Sequence, residues 1–263
     1  MLVYQDAEEA AQAVYQHVLA ARKVAELGNE RFSMLIPTGG TFVPFYRLLE
    51  EACQSGEFLL SDLVLASLDE YDWSSLKGTP LTGRLDAYAQ YGYLTYHAEQ
   101  NFKSINAVSE AGRWIIPYGA ADDQQLECKR CTQLLQVNGR FDVALIGSGT
   151  NGHGAFNEPA NGIFNQPIGY ELVELSEETK KNNAQWCGGK TPERAYSVTM
   201  QTLAWAKQKL ILITGEAKAD IVKAMYYRLG PTEEIPLTYL TMGEHAKGTI
   251  VFLDEAAASK LPQ

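Results

Sequence analysis

The sequence predicts a single α/β domain, a mainly parallel, Rossmann-like sheet covered by helices on both faces. Two observations carry this. Short continuous apolar runs, the mark of strands buried on both sides, alternate with stretches of helical period. Several of these runs end in glycine-bearing turns, where a strand gives way to the next helix. A length of 263 residues suits one such domain. No internal repeat, low-complexity tract or linker interrupts it.

Each element follows in turn. Asp6, with Glu9 three residues on, forms a capping box. Ala11, Val14, Tyr15, Val18 and Leu19 then recur at helical spacing, so a helix is expected as far as Gly28. FSMLIP (32–37) reads as a buried strand ending in the tight turn PTGGT, and FVPFYRLLEEACQSG resumes the helical period. DLVLASL (62–68) is the next strand and runs into Asp69-Glu70-Tyr71. Segment 72–100 is rich in Tyr and Gly and reads as a surface excursion before a helix near 87–102. RWIIPY (113–118) is a strand, 121–136 a helix, and FDVALIGSG (141–149) the most apolar strand. YELVELS (170–176), AYSVTM (195–200), KLILITG (209–215) and TIVFLDE (249–255) add strands, with a helix over 215–227. The polar stretch 180–194, KKNNAQWCGGKTPER, reads as a loop or lid.

Composition removes several function classes. A formal net charge of −10 repels a phosphate backbone and argues against general nucleic-acid binding. An anionic small molecule would need a local positive site. Of the four cysteines, Cys53, Cys128, Cys131 and Cys187, one pair has CxxC spacing. No second pair completes a zinc ribbon, and Cys128 and Cys131 fall inside a helical stretch, so they read as free thiols. No two histidines have metal-ligand spacing, so no metal is expected, and His17, His97 and His245 read as structural or surface residues. The start of the chain lacks a signal-peptide pattern and no apolar run reaches membrane-spanning length. A cytoplasmic protein without a membrane partner is expected.

In open parallel sheets, ligands bind at the carboxyl ends of the strands. Four predicted strand ends here carry unusual chemistry: PTGGT (37–41), LDEY (68–71), GSGTNGHGAFNEP (147–159) and TGEAK (214–218). In the first, Thr38, Gly39, Gly40 and Thr41 offer backbone N–H groups and hydroxyls at a helix start, an anion cradle. No lysine follows, so this is not a Walker loop, and alone the motif fits a plain strand–helix turn equally well. Lys218 stands in the first turn of a helix, where a cation opposes the dipole. A bound phosphate would offset that; a solvated surface lysine is the plain alternative. Asp69 and Glu70 point to opposite faces, so only one can face a given pocket. A carboxylate there suits a proton-transfer base or, more simply, a helix cap. His153, between Gly152 and Gly154, can exchange protons near neutral pH, with Glu158 to orient it. The plain alternative is a core or capping histidine.

Taken together, PTGGT, LDEY, GxGxNGHxxFNEP and GxxK resemble the glucosamine-6-phosphate deaminase (isomerase) family over residues 30–255. That family is related to 6-phosphogluconolactonases and has a fold like those of ribose-5-phosphate isomerase and CoA-transferases. The resemblance implies that Thr38, Gly39, Gly40 and Thr41, with Gly149, cradle a sugar phosphate and that Lys218 binds the phosphate. It implies that Asp69 moves a proton between C2 and C1, that His153 opens the pyranose ring, and that Glu158 supports it. Asn151 matches a position that is Asp in some members and Asn in others. No cofactor is implied; the partner is a small sugar phosphate, and a homo-oligomer is admitted. Residues 1–263 would form one domain with a lid around 176–194.

Two departures stand out. Gln185 occupies the place of a lid arginine that clasps the phosphate in many members, with Lys180, Lys181 or Lys190 as candidate substitutes. The region between Tyr71 and Asn101 is longer than is typical. The implied reaction converts glucosamine 6-phosphate to fructose 6-phosphate and ammonia. Three alternatives stand beside it. One is a galactosamine-6-phosphate isomerase/deaminase, whose relatives also tend to lack the lid arginine. Another is a 6-phosphogluconolactonase, in whose relatives an arginine tends to follow DE and NEP is absent, unlike Tyr71 and Asn157-Glu158-Pro159 here. The last is a sugar-phosphate sensor, against which stands the lack of a helix-turn-helix or basic face.

Overall fold

The apolar run Val143–Ile146 shows how the main sheet is built. Val143 and Leu145 pack into one core cluster, Ala144 and Ile146 into the other. Successive side chains leave opposite faces of a strand, and here both faces are buried, so the run is apolar throughout. The strand Gln208–Ile213 repeats the pattern, with Leu210 and Leu212 on one side and Ile211 and Ile213 on the other. The structure is a computed structural model and describes residues 1–28, 30–37, 39–74, 102–160, 162–184 and 191–262.

Seven strands form the main sheet: β1 (Leu2–Tyr4), β2 (Ser33–Ile36), β3 (Val64–Ser67), β5 (Trp114–Ile115), β6 (Val143–Ile146), β9 (Gln208–Ile213) and β10 (Thr249–Asp254). Their order is β1-β10-β9-β6-β2-β3-β5, and every neighbouring pair is parallel. The helices Ala7–Leu27 and Val43–Ser55 bury apolar stripes against one face. The helices Gln124–Asn138, Met200–Trp205 and Ala219–Tyr226 cover the other. The first helix is capped as its sequence predicts: Asp6 accepts from the Glu9 N–H at 2.8 Å, and Gly28 closes the far end. Val43–Ser55 stops at Gly56, whose φ of 79° a side chain would resist.

The expected α/β architecture is present, with one addition. YELVELS and AYSVTM do not join the main sheet. They form β7 (Tyr170–Glu174) and β8 (Arg194–Val198), which pair antiparallel with each other and with a third short strand, β4 (Asp69–Tyr71), in the order β4-β8-β7. Leu68 is the point of transfer. Its N–H donates to Ile36 O of the main sheet, while its carbonyl accepts from Val198 N–H of the small one. The run 62–71 is therefore two strands in two sheets.

Other boundaries shift for simple reasons. RWIIPY shrinks to Trp114–Ile115, because Pro117 has no N–H to extend a ladder. The helix expected over 215–227 opens with a single 3-10 turn, Glu216–Lys218. Part of the polar stretch 180–194 is helical: Glu177–Asn183 starts at Ser176, which accepts from Thr179 N–H at 3.2 Å. Residues 185–190 and most of the excursion and helix expected over 72–102 lie outside the described residues. Cys128 and Cys131 are free and buried on their helix. Burial pushes both thiols up, Cys128 to about 12, so neither is a ready thiolate. Among the described residues no helix is long and apolar enough to cross a membrane.

Candidate active site

Strand order reverses between β2 and β6. From β2 the sheet grows outward through β3 and β5, and from β6 through β9 and β10. Such a switch point opens a crevice at the carboxyl ends of the strands. A cavity of about 420 Å3 is lined from all four turns singled out in the sequence. Gly39, Gly40, Thr41, Asp69, Gly149, His153 and Lys218 all line it. Asn151 and Glu158 stand behind His153 and do not line it. Thr38 and Gln185 lie outside the described residues.

Asp69 owes its place to the transfer at Leu68. As the first residue of β4 it pairs with Ser197 of β8. Asp69 and Tyr71 line the cavity, whereas Glu70 turns away and accepts from Tyr71 N–H at 2.8 Å. The alternation of a strand thus selects the aspartate and not its neighbour. Asp69 is buried, and Tyr46 shares the cavity wall, its hydroxyl donating to Pro37 O. Burial, with the Asp69 charge added, pushes the Tyr46 phenol well up.

His153 is held from behind. Its Nδ1 lies 3.3 Å from Glu158 Oε2, and the same oxygen accepts from Asn151 Nδ2 at 2.6 Å. Asn151 Oδ1 in turn accepts from His153 N–H at 3.2 Å. With Nδ1 turned to a carboxylate, Nε2 is the ring nitrogen left for proton exchange in the cavity. Burial alone would push the Glu158 carboxyl up. Hydrogen bonds from His153, Thr179 and Asn151 and the His153 charge outweigh it and hold the group at about 2. Asn151 therefore serves Glu158 as much as His153, which is why an amide suffices there.

The backbone around this pair is constrained. A Cβ on Gly149 would fall 2.3–2.6 Å from His153 ring atoms, so only glycine lets the ring lie over the turn. Ala155 has φ of 53°, the one positive value among described non-glycine residues, and it lines the cavity.

At the other end, Gly39 and Gly40 precede the helix Val43–Ser55. A Cβ on either would meet no atom within 4 Å, so packing in the protein does not demand glycine there. Lys218 follows the turn at Gly215, whose N–H donates to both oxygens of Asp254, at 3.0 and 2.9 Å. Burial lowers the pKa of the Lys218 ammonium, and nearby Glu178 partly opposes this.

A family model described as glucosamine-6-phosphate isomerases/6-phosphogluconolactonase matches residues 5–250. The chain belongs to this family. Among relatives, glucosamine-6-phosphate deaminase 1 of Bacillus subtilis (strain 168) is 30% identical over 248 residues, covering 93% of this chain and 94% of that one. Glucosamine-6-phosphate deaminase 2 of the same organism is 31% identical over 265 residues, covering 98% and 94%. A solved structure of a monomeric glucosamine-6-phosphate deaminase superposes with a TM-score of 0.80 at 27% identity, covering 99% of this chain and 100% of that one. A 6-phosphogluconolactonase from Leishmania guyanensis shares the fold at 15% identity, with a TM-score of 0.69 and coverage of 99% and 98%.

Several residues of this family member escaped sequence reasoning. Ser197 pairs across from Asp69, and its hydroxyl accepts from Phe156 N–H at 3.0 Å. Asn157 donates to Gly154 O and Val198 O, both at 2.8 Å, which pins the histidine loop to β8. Ser197 signalled itself only as a hydroxyl within an apolar strand, and Asn157 was read only as part of the NEP motif, without a partner. Thr179, Asn182 and Asn183 bring the helix Glu177–Asn183 to the cavity wall. Lys180, a candidate substitute for the lid arginine, is instead paired with Glu177 at 2.5 Å and Glu193 at 2.6 Å. Lys181 does not line the cavity, and Lys190 lies outside the described residues. Among the described residues no three His, Cys, Asp or Glu gather as a metal ion would need.

Proposed function

We propose that this chain converts glucosamine 6-phosphate and water to fructose 6-phosphate and ammonia. The carrying observation is that Asp69 and the Glu158-backed His153 share one cavity with Lys218 and the Gly39–Thr41 turn. Membership of the family supports the reaction class. The phosphate sits against Lys218 and the Gly40 and Thr41 backbone, remote from the reacting carbons, and its binding supplies orientation. His153, as imidazolium, protonates the ring oxygen, and the pyranose opens as the O1 hydroxyl gives its proton back to the imidazole. Asp69, as carboxylate, takes the C2 proton to give an enolamine, then returns it at C1 to give a fructosimine. Water adds at C2, ammonia leaves, and the ketose phosphate remains. Glu158 stabilises the imidazolium whenever His153 carries the proton.

The helix Glu177–Asn183 acts in this reading as a lid on a single domain, because Thr179, Asn182 and Asn183 face the cavity; of the lid expected over 176–194, residues 185–190 lie outside the described residues. The free thiols fit a cytoplasmic enzyme.

A coupled assay tests the reading against its rivals. Ammonia release should be faster, by kcat/KM, from glucosamine 6-phosphate than from galactosamine 6-phosphate, with no hydrolysis of 6-phosphogluconolactone. Preference for the galacto epimer or the lactone would replace the assignment, and binding without turnover of any of them would favour a sensor. Asp69→Asn should cut ammonia release by at least about 100-fold while substrate still binds. Near-normal turnover by that variant would remove Asp69 as the base.

A further inference from the structure

The helix Glu177–Asn183 reaches the site through contacts that none of the steps above uses. Thr179 lines the cavity and helps hold the Glu158 carboxyl in its charged form behind the histidine. Next to it, Glu178 accepts a hydrogen bond from the hydroxyl of Thr150, which lines the cavity. The Glu178 charge also bears on Lys218, favouring its ammonium form against the burial that disfavours it. A surface carboxylate is thus tethered to the cavity wall within electrostatic reach of the cavity-lining lysine.

From this juxtaposition we propose that Glu178 is a built-in competitor for the phosphate of the substrate. It rests on the reading of Lys218 as the phosphate end. Without a ligand, Glu178 supplies the counter-charge to Lys218 and its bond to Thr150 holds the helix in place. A phosphate dianion takes over as counter-ion and repels Glu178. The repulsion weakens the bond to Thr150 and loosens the helix. Ligands lacking a phosphate leave that bond intact. Glu178 therefore sets the affinity for phosphorylated sugars below what the cradle alone would give, and it links phosphate occupancy to the position of the helix.

The test needs no turnover. Inorganic phosphate is titrated calorimetrically at low ionic strength into the wild type, Glu178→Gln and Glu177→Gln. A glutamine at 178 keeps an acceptor for Thr150 but removes the charge. Glu177 lies in the same helical turn, with its side chain 91% exposed and paired to Lys180, so its variant controls for net charge. Glu178→Gln should bind phosphate roughly three- to tenfold more tightly, an effect that shrinks with added salt, while Glu177→Gln stays near the wild type. Equal gains in both variants, no gain at 178, or no phosphate binding by any of the three would overturn the proposal. Lys218→Ala serves as a separate control: undiminished phosphate affinity there would instead sink the placement of the phosphate end.

Discussion

At His153 much depends on an atom that is absent, the Cβ of Gly149. Placing it would drive the imidazole off the turn, since the closest ring atom would lie 2.3 Å away. Gly149→Ala should therefore lower kcat by about 100-fold, the scale of a misplacement near 1 Å. Steady-state kinetics of the variant would check this, and an unchanged kcat would contradict it. Glu158 gives a second prediction. Its folded pKa of about 2 lies below the ordinary 4.5, so the carboxylate form is favoured by folding. The resulting stability is complete above the ordinary value and fades as pH falls from 4.5 toward 2. Denaturant melts should show Glu158→Gln losing stability at neutral pH but losing less on acidification than the wild type; parallel pH curves would contradict this account. At this scale His153, Asp69 and Lys218 were legible because each is an unusual side chain at a strand end. Ser197 and Asn157 were not, because a buried polar residue signals function only once its partner is known.

Among the elements, Ala7–Leu27 was the most readable, since cap, apolar stripe and terminal glycine all agree. Asp6→Ala removes the cap hydrogen bond and should cost about 1 kcal/mol, seen as a drop of roughly 2–4 °C in Tm for a chain of this size. Activity should follow only through stability, because that helix does not line the cavity. The main strands were readable for a related reason: burial on both faces writes an uninterrupted apolar run into the sequence. The small sheet was not. β4 is three residues long, too short for any period, and its partner β8 lies far along the chain. What distinguishes Leu68 from the residues before it is the destination of its carbonyl, which only the fold reveals.

For the molecule as a whole, the sequence foretold that four strand ends would meet, because a parallel sheet places all its carboxyl ends on one edge. It could not foretell that a second sheet stands on that edge and carries Asp69. The link lies in Ser197, which pairs with Asp69 through its backbone and holds Phe156 through its hydroxyl. Ser197→Ala should leave the Phe156 N–H buried without its acceptor, at a cost of about 1–3 kcal/mol, and should lower kcat while the phosphate Kd holds. An unchanged kcat would break that link. Ser197 also acts as a ruler. Asp69 and the loop bearing His153 are both held to one residue of one strand. In the proposed reaction any motion of the small sheet would carry them together. Such motion would alter the reach from this pair to Lys218, which stands in the turn Glu216–Lys218 after β9 of the large sheet. For that proposed reaction one sheet would set the spacing of proton acceptor and donor, and the gap between the two sheets the length of sugar that fits.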